Sequence, residues 1–167
     1  MDRLDVRRRG ETVVIRLTSG SYDRETLNAE VVMPNLGGLK VSGASHVEVS
    51  GVRAEDPLEL EASGASTILG DIEAGPVEVE VSGASRVSLK GSASTLDLRV
   101  SGASTLAFAD FSVKTAEAEV SGASTAILDV DEVINPVVLS GASRLIYKGD
   151  PELRGLDVSG SSQVRQE

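Results

Sequence analysis

The chain has no cysteine, no tryptophan and a single histidine, and its only aromatic rings besides that histidine belong to two tyrosines and two phenylalanines. Without cysteine there is no disulfide, thiolate nucleophile or sulfur metal ligand. So little aromatic area predicts a core of Val, Leu, Ile and Ala, which suits narrow, regular layers better than a centre packed around large rings. No apolar run approaches the roughly 20 residues of a membrane span, so membrane insertion of this segment is not expected. Positive charge is scarce: 16 Lys and Arg stand against 26 Asp and Glu, a net charge of −10. Counterion release cannot drive such a chain onto a phosphate backbone, so nucleic acid is excluded as a partner, and anionic lipid for the same reason. What remains is a 167-residue chain, 40% hydrophobic, long enough for one domain with a continuous core.

What the sequence has in abundance is repetition. The tetrapeptide Ser-Gly-Ala-Ser begins at Ser42, Ser63, Ser82, Ser101, Ser121 and Ser140, and a Ser-Gly-Ser-Ser variant begins at Ser159. Consecutive copies therefore lie 19 to 21 residues apart. The residues before each motif alternate apolar and polar, as in Val77-Glu78-Val79-Glu80-Val81 and Leu96-Asp97-Leu98-Arg99-Val100. Alternation resumes afterwards, as in Arg86-Val87-Ser88-Leu89. Period two with β-branched residues is the pattern of half-buried strands. A unit of this length is too short for a strand and a helix but suffices for one coil of a β-solenoid. The fold class read from the sequence is therefore all-β: a single-domain solenoid of the parallel β-helix type, about 19 to 20 residues per coil. Coils spaced by about 4.8 Å would stack seven deep to roughly 34 Å. Val52, Ile72, Val113, Val133 and Leu153 add a third apolar anchor per coil and favour three sides. The expected inner ladder includes Val79, Leu98 and Ala118.

The motif suits a corner. Gly43, Gly64, Gly83, Gly102, Gly122, Gly141 and Gly160 supply the backbone freedom of a sharp bend. The Ala is expected inside the corner, and the Ser hydroxyls are expected to bond nearby backbone or one another along the stack. Residues 1–41 read as irregular leading strands that cap the seven-repeat region 42–167 within one domain. Thr12–Leu17 and Leu27–Met33 are its strands, and Ser19-Gly20-Ser21 a degenerate corner. At the other end, polar Gln163, Arg165, Gln166 and Glu167 around Val164 should discourage end-on growth.

Few residues offer chemistry. Ser45 and His46 are adjacent, and in a strand adjacent side chains face opposite ways, so they cannot act as nucleophile and base. No catalytic residue, cofactor site or dedicated metal site is assigned. Outward positions two and four before the motif hold Glu59 and Glu61, Glu78 and Glu80, Asp97 and Arg99, Glu117 and Glu119. Two readings of this acidic column stand: a solvated face that prevents sideways sheet addition, and weak binding of a hard cation such as Ca²⁺. A second outward column runs Glu48, Leu69, Ser88, Ala107, Ile127, Ile146. Ala107, Ile127 and Ile146, with Pro136 and Val138 replacing the acidic pair, mark a candidate interface for a homo-oligomer.

The run from Val31 to Ser45, Val-Val-Met-Pro-Asn-Leu-Gly-Gly-Leu-Lys-Val-Ser-Gly-Ala-Ser, together with the corner series and the ending Val158-Ser159-Gly160-Ser161-Ser162, resembles the family described as "putative auto-transporter adhesin, head GIN domain". The resemblance implies a bacterial β-solenoid domain exported to the cell envelope or surface, with a surface glycan or protein as ligand, and gives no catalytic residues to carry over. It also implies strands upstream of residue 1, so the chain reads as a piece that starts part way through a longer protein. The Asp-bearing corner of many members is absent here. Three functional readings follow: a non-enzymatic scaffold or adhesion-type module, a self-assembling envelope protein, and a carbohydrate-active enzyme.

Overall fold

The computed structural model describes residues 4–18 and 28–167. The chain divides into two compact units, 1–33 and 34–167. In the first unit, β1 (Leu4–Arg9) and β2 (Thr12–Leu17) form an antiparallel hairpin with Arg9 opposite Thr12. Gly10 takes a positive φ of 61° at the turn, a conformation open to glycine at little steric cost. Asp5 accepts from the Arg16 and Arg7 guanidinium groups, and those bonds hold its carboxyl below the usual range. The strand expected over 12–17 is present. Residues 28–33, expected to be a strand, form none. Leu27 and the expected corner at Ser19-Gly20-Ser21 lie outside the described residues.

The second unit is a parallel β-solenoid of about seven turns. Its strands are β3 (Gly38–Val41), β4 (His46–Ala54), β5 (Leu58–Ala62), β6 (Thr67–Val81), β7 (Arg86–Val100), β8 (Thr105–Val120), β9 (Thr125–Leu139), β10 (Arg144–Lys148), β11 (Glu152–Leu153), β12 (Leu156–Val158) and β13 (Gln163–Gln166). Each coil pairs in parallel with the next, so that Val79 lies beside Leu98 and Leu98 beside Ala118. All three are buried, as the alternation requires. In the coil 63–81 the inward positions are Ile68, Ile72, Val77, Val79 and Val81. Their parity switches between 72 and 77. Side chains alternate strictly along a straight strand, so the switch marks a bend, and it coincides with Gly75-Pro76.

The core differs from expectation in three places. Phe108 and Phe111 are its largest fully buried side chains, packed edge to face with centroids 5.2 Å apart. Phe111 lies in register with Gly91 of the adjacent coil. The expected anchor Val133 is only half-buried; the inward residues there are Val130 and Ile134, because the register between β8 and β9 shifts. At the corners the motif is turned the other way round from the reading above. The Ala is exposed, and the second Ser is inside: Ser66, Ser85, Ser104, Ser124 and Ser143 are each at most 2% exposed.

That inversion explains the motif. The amide after each corner glycine donates to the glycine carbonyl of the preceding coil, as Ala84 to Gly64 (2.7 Å) and Ala103 to Gly83 (2.8 Å). The inner Ser Oγ donates to the same carbonyl, as Ser104 to Gly83 (3.3 Å), and accepts from the preceding coil's Ser amide, as from Ser85 (3.4 Å). A buried hydroxyl satisfied in both roles carries no desolvation penalty and ties one coil to the next. The glycine is required twice over. Its φ is +75° at Gly83 and +77° at Gly102, and a Cβ at either place would come 2.4 Å from the glycine oxygen below. At Gly43, with φ +80°, nothing lies within 4 Å of that Cβ position.

The corners are therefore not equivalent. Gly102→Val is expected to destabilise by about 2–5 kcal/mol, from backbone strain plus overlap with a neighbour that cannot yield. Gly43→Val should cost only about 1–2 kcal/mol, the conformational part alone. Chemical denaturation of both variants checks the difference; equal losses would mean the close approach is unimportant. Ser104→Ala, which removes the hydroxyl and adds no bulk, should cost about 1–3 kcal/mol, because the Ser85 amide loses its acceptor inside the wall. An unchanged midpoint for Ser104→Ala would show that the hydroxyl ladder contributes nothing.

Candidate functional site

The face preceding the corners carries the chain's densest charge. Register places Lys40, Glu61, Glu80, Arg99, Glu119, Val138 and Asp157 in one column. Beside it run Glu59, Glu78, Asp97 and Glu117. All alternate with core residues and so point outward. Four of the seven positions in the first column are carboxylates, and two are cations that break the run of like charge. Lys40 Nζ sits 2.8 Å from Glu59 Oε1 and 2.9 Å from Glu61 Oε2, contacts that push its ammonium above the usual lysine range. The Arg99 guanidinium reaches Asp97 and Glu78, each at 3.0 Å, and these carboxylates, Asp97 foremost, raise its pKa. Sequence reasoning placed Arg99 in this column but missed Lys40, whose place is visible by counting back two residues from Ser42.

Where the acids end, the face changes character. A shallow depression of about 60 Å³ is lined by Asp97, Arg99, Glu117, Glu119, Pro136 and Val138. It combines carboxylates, one guanidinium and an apolar floor edge within three coils. Arg99 and Asp97 remain 48% and 37% exposed, so their charges act in water-like surroundings where individual ion pairs are weak. Such a surface suits contact with a cationic or polyhydroxylated surface. Among the described residues no three His, Cys, Asp or Glu converge as a metal-holding group.

The other candidate residues lie beyond the corner. Ala107, Ile127 and Ile146 stack in direct register and are half-buried, outward of the core residues Leu106, Ala126 and Leu145. Pro136 and Val138 precede the corner at Ser140 and belong to the depression, so the corner separates the two groups. His46 is exposed, with Nε2 3.3 Å from Glu48, while the Ser45 hydroxyl donates to the Ser42 carbonyl; the two side chains do not pair. No helix among the described residues is long and apolar enough to cross a membrane.

Arg99→Glu would place carboxylates at Glu80, position 99 and Glu119 in adjacent coils. It should lower stability by about 1 kcal/mol at low ionic strength, with most of the loss recovered in 1 M salt, where screening reaches only about 3 Å. Thermal melts at two salt concentrations check this; a loss indifferent to salt would mean that packing of the Arg99 stem, not charge, is what the residue provides.

No curated protein and no solved structure matches the chain. A family model does, over residues 1–151, which takes in the hairpin and all but the last coil of the solenoid. With that span matched, the chain belongs to the family described as "Putative auto-transporter adhesin, head GIN domain".

Proposed function

We propose that the chain is a non-enzymatic, adhesion-type module of the bacterial cell envelope, exported and displayed with its flat faces outward. The observation that carries this reading is the fate of the repeated serines. The second Ser of the corner motif at Ser66, Ser85, Ser104, Ser124 and Ser143 is turned into the wall, where these hydroxyls engage backbone carbonyls and amides. The repeat is thus a means of building a stack, and what varies from coil to coil is the outward chemistry. The depression at Arg99, Glu117, Glu119, Pro136 and Val138 is the contact surface, with a surface glycan or a basic protein patch as ligand. A second reading, self-assembly into a larger envelope structure, is favoured by one observation: the half-buried apolar column of Ala107, Ile127 and Ile146 on a side face.

Purified chain applied to glycan and surface-protein arrays is the test of the adhesion reading. Binding without turnover is expected, weakened about tenfold by Glu117→Gln with Glu119→Gln, as for the loss of one or two charged contacts. A chemically altered glycan, formed by the wild type and absent with that pair of substitutions, would make the protein an enzyme instead.

A further inference from the structure

The two sheet faces that meet at the serine corners differ in charge. Before the corner lie the two acidic columns, relieved only by Lys40 and Arg99, and both of those cations are already engaged with carboxylates. After the corner, register stacks Thr67, Arg86, Thr105, Thr125 and Arg144 in one column with no carboxylate among them. Arg86 and Arg144 are exposed, and among the described residues neither enters an ion pair, in a chain of net charge −10. The outermost column of that face largely balances itself: Lys90 lies between Asp71 and Asp110, and Lys148 beside Asp129. The two arginines are therefore the uncompensated charge of the post-corner face.

The surface they fit is the acidic face of a second copy. Side chains on a stacked sheet repeat at about 4.8 Å, so a partner with the same period meets it coil after coil in register. Arg86 and Arg144 stand three coils apart, and so do Glu61 and Glu119. With two copies running the same way and offset by one coil, Arg86 lies opposite Glu61 and Arg144 opposite Glu119. Thr105 and Thr125 then lie opposite Glu80 and Arg99, so the one cation of that stretch meets a neutral residue. Without the offset Arg144 would face Val138, and with the opposite offset Arg86 would face Arg99. Copies running in opposite directions would bring Glu48 level with Asp157 and Arg165 level with Lys40. Closing the contact also withdraws the adjacent column of Ala107, Ile127 and Ile146 from water.

We infer that the solenoid associates side by side with further copies of this chain, the post-corner face of one copy lying on the acidic face of the next through Arg86 to Glu61 and Arg144 to Glu119. The contact joins unlike faces, so it is heterologous and builds rings or open arrays rather than a two-fold dimer. The inference rests on the self-assembly reading and supplies its partner surface. It also covers the depression at Arg99 wherever a neighbour is seated, so assembly and an external ligand compete for the acidic face.

Sedimentation velocity of the 167-residue chain over a range of concentration and salt tests it. Association should rise with concentration and fall about tenfold or more between roughly 0.05 M and 1 M salt, because the matched charges are screened. Arg86→Glu should weaken association about tenfold or more by setting carboxylate against Glu61. Lys114→Glu makes the same change of charge at an exposed lysine on neither face and should leave association nearly unchanged. Glu61→Arg should disperse the protein as Arg86→Glu does, and an equimolar mixture of the two variants should assemble again, because every contact in an alternating array is then complementary. Thermal melts should show all three variants folded, since the altered side chains point outward. A wild type monomeric up to about 1 mM, association strengthened by salt, equal losses with Arg86→Glu and Lys114→Glu, or a mixture that stays dispersed would each overturn the inference. The Arg86→Glu chain keeps the depression intact, so its binding to the glycan and surface-protein arrays reads the adhesion proposal by itself. Array binding by a wild type that never associates sinks the inference alone, and association without array binding sinks the adhesion proposal alone.

Discussion

The corner carbonyl of glycine is the acceptor on which the solenoid depends. It takes an amide from the next coil at about 2.7–2.8 Å and, in several coils, that coil's serine hydroxyl as well. Nothing larger than a hydrogen fits between one corner glycine and the next, so the coils approach to strand spacing at the bend as well as along the flat faces. Once the corner is pinned, the alternating residues on either side have no freedom of register. A one-residue slip would turn every inward Val and Leu to water.

This is why so much of the fold was legible. The Ser-Gly-Ala-Ser period fixes the coil length, and strict alternation fixes which side chains point in; Val79, Leu98 and Ala118 needed no further information. What was not legible is local to the bends. Period-two reasoning has no purchase where the backbone turns, so it could not tell that the second Ser, rather than the Ala, faces the interior. Composition also misled. Two phenylalanines looked too few to matter, yet both lie in the same coil and are the largest fully buried side chains of the core. Val133 was misplaced because a register shift between β8 and β9 moves the inward role to Ile134, and no spacing in the sequence signals it.

The candidate site was legible as a column but not as a place. Counting from each corner finds the carboxylates and Arg99. Finding that Pro136 and Val138 border the same depression requires the register across three coils, including the shift at Ala116. A solenoid has no cleft between layers in which water is excluded, so its outward groups keep nearly solvent-like behaviour. Function on such a face comes from repetition and area rather than from one strongly perturbed group.

The same backbone rule makes the molecule's length modular. Residues 82–100 form one whole coil, and their removal would set Ser101 where Ser82 stands, with Val81 leading into it and the serine ladder intact. The corner geometry would accept such a deletion, and equally a duplication, so the length of the stack is set in quanta of one coil. The charge is less forgiving. Losing that coil takes Arg99 with it and brings Glu80 directly alongside Glu119, so the coils are interchangeable as shapes but not as ions.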